Sequence, residues 1–215
     1  MKAKHRSSQR TCDAAVLLAP HPREREMSRR SHGRAAHMTA AEIQAKVWQL
    51  RHGTVMADTA VLANVERQNT GWSPRPVYAD VLKRCPACKR PFLFYAAEQR
   101  FWFETLRFDT VIDCQKCAPC RKHDRRVKAS LERYATALNA VRLDAKVMKT
   151  FIDDTLFLFE HGLVRNLSRV GAIKNRARRE LPAYAGTQRL ADALARAREA
   201  ADMLPGAWRN RHWAA

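Results

Sequence analysis

The chain has 215 residues, 46% hydrophobic and 28% charged, which excludes wholesale disorder and leaves room for one ordinary domain or two small ones. Its 40 Lys and Arg against 21 Asp and Glu give a formal charge of +19, which implies an anionic partner, with nucleic acid the first candidate. Seven Gly and nine Pro argue against a turn-rich all-β barrel, and no apolar run reaches the roughly 18 residues of a membrane span, so the chain reads as soluble.

Residues 1–37 hold nine Lys or Arg against three acids, with little periodicity, and read as a basic disordered arm. Met27 and Met38 offer later starts. Basic residues followed by Ala14 to Ala19 are the nearest thing to an export signal. That stretch is at the short limit, abuts Asp13 and lacks a cleavage context, so a cytoplasmic protein is expected. Residues 38–70 read as short N-terminal helices. Thr39 and Glu42 have capping-box spacing, and Ile43, Val47 and Leu50 follow at helical intervals until Gly53. A second helix is predicted from Ala57 to Gln68, with Val61, Leu62 and Val65 inward. Asn69 to Pro76 breaks the pattern.

Residues 77–124 carry the cysteines. Pro91 to Tyr95 alternates and suits a strand, and Ala96 to Leu106 suits a helix. Residues 125–205 read as a C-terminal helical region, with 206–215 a tail. Val127, Leu131, Tyr134, Leu138, Val141, Ala145, Met148 and Ile152 repeat at alternating spacings of four and three. Such a heptad seam packs within a bundle of one chain, the reading preferred here, or joins a homodimer through 127–152. Helix continues from Thr155 to Leu181 with interruptions expected near Gly162 and Gly171. Gln188 to Leu204 is an amphipathic last helix, with Leu190, Leu194, Ala197, Ala201 and Leu204 on one face.

Cys12 stands alone, whereas Cys85, Cys88, Cys114, Cys117 and Cys120 share one 36-residue window. Clustered Cys-x-x-Cys pairs without an export signal read as a metal site. Zinc takes four ligands in a tetrahedron, and one tight Cys-x-x-Cys turn supplies two corners. Cys85-Pro-Ala-Cys88 is one pair. Cys117-Ala-Pro-Cys120 is another, 28 residues on, and Cys114-Gln-Lys-Cys117 has the same spacing, which leaves the second pair open. Fewer than about 50 residues seldom fold unaided, and a structural Zn2+ contributes on the order of 10–16 kcal/mol. Arg84, Lys89, Arg90, Lys116 and Arg121 flank the pairs and can offset the charge of a four-thiolate site.

Tyr78-Ala-Asp80, Cys85-x-x-Cys88, Pro91-Phe-x-Phe94, Glu98-Gln99, Phe101-Trp102-Phe103 and a closing Cys117-x-x-Cys120-Arg121 together resemble the bacterial "probable zinc-ribbon domain" proteins, over residues 77–124. The resemblance implies a small treble-clef-like or ribbon zinc module with ligands at Cys85, Cys88, Cys117 and Cys120, since the last ligand of that family directly precedes an arginine. It transfers a fold and a metal but little activity. Lys89 stands where such knuckles often carry Gly, and Cys114 is extra, a small buried residue or a free thiol. The fold class expected is mostly α, a helical bundle with this small α+β module in its middle.

Phe92, Phe94, Phe101, Trp102 and Phe103 can stack bases or, as preferred, fill the module's core. Glu98 and Gln99 are expected to cap their helix or to hydrogen-bond the cysteine turns. His123 is expected to be solvated rather than a ligand. Arg121, Lys122, Arg125 and Arg126 follow the last ligand and are the expected phosphate contacts; Arg176, Arg178 and Arg179 form a second basic cluster. No His-x-Glu precedes a Pro-Cys-x-x-Cys, and no phosphate-binding glycine loop or nucleophile elbow occurs. The sequence therefore predicts a non-enzymatic, zinc-binding protein that binds DNA or RNA. A protein-interaction adaptor is the alternative, and a thiol sensor using Cys114 a remote third.

Overall fold

A computed structural model describes residues 18–28, 35, 37–46, 53–69 and 73–203. The chain is mostly α, with one three-stranded antiparallel sheet among the described residues, and it divides into two compact units, residues 1–123 and 124–215.

The first unit is organised by its central strand. β1 (Thr54–Leu62), β2 (Val77–Arg84) and β3 (Pro91–Phe94) lie in that order, both pairings antiparallel. Alternation along β2 sends Val77, Ala79, Val81 and Lys83 to one face, with Cys85 next in the series. Phe92 and Phe94, the cross-strand partners of Lys83 and Val81, join them in a core that also holds Cys114 and Cys117. Tyr78 faces the opposite side and packs with Val61, Ala96 and Phe103.

β1 corrects the helix predicted over Ala57 to Gln68: only Val65–Arg67 forms a single 3-10 turn. Thr54, Val55, Thr59 and Val61 are β-branched and favour a pleated surface, and β2 supplies their hydrogen-bonding partner. A bulge between Met56 and Val61 is pinned by the Thr59 hydroxyl, which donates to the Met56 carbonyl (2.6 Å) and accepts from the Asp80 N–H (2.8 Å).

Residues 18–28 correct the reading of 1–37 as wholly disordered. Ala19 N–H donates to the Pro91 carbonyl on β3 (2.8 Å), and α1 (Glu24–Met27) buries Met27. Ala35 N–H donates to the Ala60 carbonyl on β1 (3.1 Å). The remainder of 1–37 lies outside the described residues, apart from His37. The capping box is present: Glu42 accepts from the Thr39 N–H (2.7 Å), and the Thr39 hydroxyl accepts from the Glu42 N–H (3.3 Å), opening α2 (Ala40–Lys46). Val47 and Leu50 lie outside the described residues.

After β3, α3 (Ala96–Arg100) runs into a widened π turn (Phe101–Thr105). It ends with Arg107 in the left-handed region at φ 53° and the Phe108 N–H on the Trp102 carbonyl (3.0 Å). α4 (Ala118–Leu138) follows the cysteine loop.

The second unit is a helical bundle in which the expected seam is not one helix. α4 stops at Leu138, and α5 (Ala145–Glu160) restarts where the Asp144 carboxylate accepts the Val147 N–H (2.8 Å). Val141, a member of the predicted seam, is 93% exposed in the connection. The two helices fold back antiparallel, as the pairs Arg126–Phe157, Ser130–Asp154 and Tyr134–Phe151 show. Buried Asp154 accepts from Ser130 (2.7 Å) and from two Arg133 nitrogens (2.7 Å each), which satisfies its charge. Tyr134, Met148 and Ile152 are thus buried within this chain.

α6 (Leu167–Glu180) and α7 (Ala185–Asp202) complete the core. The break predicted near Gly162 is present, with that glycine at φ 68°. None occurs at Gly171, which lies buried inside α6. Leu190 and Leu194 of α7 are buried, Ala197 half-buried and Ala201 exposed, while Leu204 lies outside the described residues.

Candidate metal centre

Two local structures aim thiols at one point. The first is the tight turn between β2 and β3. Cys85 N–H donates to the Arg90 carbonyl (3.0 Å) and Lys89 N–H to the Cys85 carbonyl (2.9 Å). Closing that turn puts Lys89 at φ 62°, a left-handed conformation that disfavours any side chain by about 1–2 kcal/mol. The lysine therefore keeps the backbone geometry a glycine would adopt more cheaply.

The second is the start of α4. Cys117 immediately precedes the helix, its carbonyl accepting from the Arg121 N–H (3.0 Å), and Cys120 sits in the first turn. Pro119 is tolerated there because first-turn N–H groups have no partner within the helix. The positive end of the helix favours thiolate at both cysteines.

The four sulfur atoms of Cys85, Cys88, Cys117 and Cys120 all lie within 4.8 Å of one another, and Cys88 Sγ is 3.7 Å from Cys117 Sγ. Sulfurs held about 2.3 Å from a tetrahedral zinc stand about 3.8 Å apart, so the four thiols are gathered closely enough to serve as the donor set of such an ion. His123 lies exposed on α4 and outside this cluster.

Protonation at the cluster is in conflict. Burial opposes ionisation of Cys85, yet the N–H groups of Cys88, Cys117 and Ala87 and the Cys117 thiol pull its pKa below the usual thiol value. At Cys88 the Arg90 N–H and guanidinium do the same. Cys117 and Cys120 are pushed up, first by burial; the neighbouring thiols add to this at Cys120, whereas at Cys117 the Cys120 N–H and thiol partly oppose it. A divalent cation removes that conflict by replacing the protons.

Cys114 stands apart. It is 1% exposed, donates to the Lys116 carbonyl at 3.4 Å, and burial pushes its pKa up to about 12. Reactive thiols show the opposite pattern, so the Cys114 sensor reading loses its basis.

The loop that returns the chain to Cys117 is clamped by residues the sequence reading missed. Lys83, on the buried face of β2, contacts both Asp113 carboxylate oxygens at 2.5 Å. Buried Arg75 donates to the carbonyls of Thr110 (2.7 Å) and Ile112 (3.0 Å) and lies 4.2 Å over the Phe103 ring. One signal was available for Lys83, an ionic residue that continues the inward alternation of β2 and so requires a buried counter-charge.

Glu98 and Gln99 do not cap their helix. Buried Glu98 accepts from Arg121 (2.6 Å), and its second oxygen faces His21 Nε2 at 3.6 Å. Gln99 donates to the carbonyls of Ala79 (2.6 Å) and Phe94 (3.0 Å), tying α3 to the sheet. Arg121 is thereby committed to Glu98 and to the face of Trp102, 5.0 Å away, instead of facing outward as expected. Lys122, Arg125 and Arg126 are exposed; Arg126 lies 4.0 Å over Phe157. Arg178 and Arg179 are exposed at the end of α6, where Arg176 pairs with Glu180. Phe92, Phe94 and Phe103 are core residues, Trp102 is half-buried, and Phe101 is exposed.

Residues 79–129 match a family model described as "Probable treble clef domain". The match spans both cysteine pairs and the start of α4. Comparisons with curated proteins and with solved structures give no match. Among the described residues, no helix is long and apolar enough to cross a membrane.

Proposed function

We propose that the first unit is a structural zinc module and that the chain uses it, non-catalytically, to bind nucleic acid. Cys85, Cys88, Cys117 and Cys120 would hold the Zn2+, which supplies folding free energy and no open coordination position. The observation that carries the nucleic-acid reading is the run of exposed cations Lys122, Arg125 and Arg126 on α4, the helix that Cys117 immediately precedes. Arg121 contributes by setting that helix against Glu98 and Trp102. Lys89 and Arg107 add weight: both occupy left-handed positions where glycine is cheaper, and both bring a positive charge.

Phosphate contacts of this kind are salt-sensitive, with about 0.9 in the log–log slope for each phosphate neutralised on duplex DNA. Three contacts predict a loss of affinity of roughly 40-fold between 50 and 200 mM salt. Titration of the zinc-loaded protein with DNA and RNA across that range tests the reading, alongside a Lys122→Gln/Arg125→Gln/Arg126→Gln variant expected to flatten the slope. Affinity that ignores salt would end it in favour of a protein partner, which would then survive nuclease treatment in a pull-down. A cytoplasmic location goes with this reading.

A further inference from the structure

Residues 18–28 are fastened along their length to the rest of the first unit. Ala19 N–H donates to the Pro91 carbonyl of β3 (2.8 Å), and α1 packs against α3 and buries Met27. Between these anchors the His21 ring meets Tyr95 edge-on, with ring centroids 5.6 Å apart, and its side chain is only 11% exposed. His21 Nδ1 accepts the Arg23 N–H (3.2 Å), which leaves the ring proton on Nε2. That nitrogen faces a Glu98 carboxylate oxygen at 3.6 Å.

Glu98 is where this strap and the cysteine-bearing turn meet. One of its oxygens accepts from Arg121 (2.6 Å); Arg121 directly follows Cys120 and donates its own N–H to the Cys117 carbonyl (3.0 Å). The other oxygen is buried with no protein donor at hydrogen-bonding distance, and His21 Nε2 is the group that faces it. A buried carboxylate oxygen without a donor is costly. The placing of His21 therefore decides how firmly the carboxylate, and with it Arg121, is held. Burial opposes ionisation of Glu98, and His21 and Arg121 together overcome it.

We infer that His21 is a positioning residue of the metal centre: docking of residues 18–28 and metal binding at the four thiols strengthen each other through Glu98 and Arg121. The inference rests on the zinc reading above. Metal fixes Cys117 and Cys120, hence the first turn of α4 and the place of Arg121 against Glu98. The strap fixes the same carboxylate through His21. Coupling between two binding events is reciprocal, so whatever lifts residues 18–28, a protease or a partner, loosens the hold on the metal without touching a thiol.

The test measures the zinc affinity of the full chain by competition with a chromophoric chelator. Alongside it, tryptic cleavage after the exposed Arg23 and Arg25 is followed in the zinc-loaded state. His21→Ala is expected to weaken zinc binding by about 5- to 150-fold and to speed that cleavage, with zinc stoichiometry at excess metal unchanged. His21→Gln keeps an N–H donor for Glu98 and an acceptor for the Arg23 N–H, and should recover most of the affinity. His21→Phe keeps only a ring against Tyr95 and should not. Met27→Ala, which leaves the His21 and Glu98 side chains intact, should loosen the strap and weaken zinc in the same direction; it carries the test if His21→Ala does not fold. The inference is overturned if the strap variants speed cleavage yet leave zinc affinity unchanged, or if His21→Phe restores what His21→Gln does not. Stoichiometric zinc in the wild type then keeps the metal reading intact, whereas a wild-type chain that binds no zinc removes both.

Discussion

The two units of this chain reach stability by different routes. The second buries a continuous apolar core, with Met148, Ile152, Leu158, Val170, Leu190 and Leu194 almost wholly withdrawn from water. Among the described residues its polar interior is small and mostly satisfied: Asp154 is held by Ser130 and Arg133, and buried Thr155 and Thr187 donate to the Phe151 and Leu181 carbonyls. The first unit spends its interior on groups that need partners: four thiols, the Lys83–Asp113 pair, Arg75, Glu98 and Gln99. Where burial alone suffices, sequence is free to vary so long as volume is kept. Where the interior is polar, each member depends on another, and loss of one strands its partner. The bundle should therefore soften gradually under substitution, and the thiol-bearing unit should fail abruptly.

The largest expected effect comes from removing the metal. Chelation, or Cys88→Ser, withdraws a contribution on the order of 10–16 kcal/mol from the first unit. Residues 53–123 should become susceptible to limited proteolysis while most of the helical circular dichroism persists. Loss of the helical signal in the same step would show that the contrast between the units is false. Next, Leu158→Ala should lower the stability of the bundle by about 2–5 kcal/mol, read by thermal unfolding, with zinc content by elemental analysis unchanged.

Glu98→Gln sharpens the contrast from the other side. The carboxylate pairs with Arg121 directly after the last thiol, and the substitution should cost about 1–3 kcal/mol and speed zinc release to a chromophoric chelator. Burial raises the Glu98 pKa, but His21 and Arg121 outweigh it, so its folded pKa lies below the ordinary carboxylate value. Its stabilisation is thus complete above the unfolded pKa and fades as pH falls through the lowered one. The difference between wild type and Glu98→Gln, measured by denaturant midpoint, should therefore shrink on acidification and never grow. The smallest effect expected is at Lys89. Lys89→Gly relieves a left-handed side chain and adds chain entropy to the unfolded state, for a net gain between zero and about 1 kcal/mol; Lys89→Ala should give no such gain.

Much of the first unit was legible. The two Cys-x-x-Cys pairs, the capping box at Thr39 and the strand at Pro91 are local patterns, and each was visible in its own few residues. The choice of Cys120 over Cys114 was not visible in spacing; the family resemblance supplied it, and geometry agrees, because the Cys120 sulfur joins those of Cys85, Cys88 and Cys117 while Cys114 is buried outside that cluster. β1 was misread because Val61, Leu62 and Val65 also suit a helix, and the strand that captures it arrives only at Val77. The seam misled for a related reason. Spacings of four and three are the same for one long helix or two folded together, and Asp144, whose cap decides the matter, is a single residue within a permissive pattern. Arg121 read as a surface cation because its partner Glu98 lies 23 positions away.

The main-chain bonds from Ala19 and Ala35 touch the two outer strands of the sheet, one each. Bare strand margins are templates on which a second chain can pair. A ribosome makes these covering residues before any strand emerges, so the guards are already waiting when the sheet assembles. Proteolytic clipping ahead of Met38 would leave a domain that still holds its cation, yet with both flanks open to its neighbours, and its failure would be seen as clumping rather than as melting.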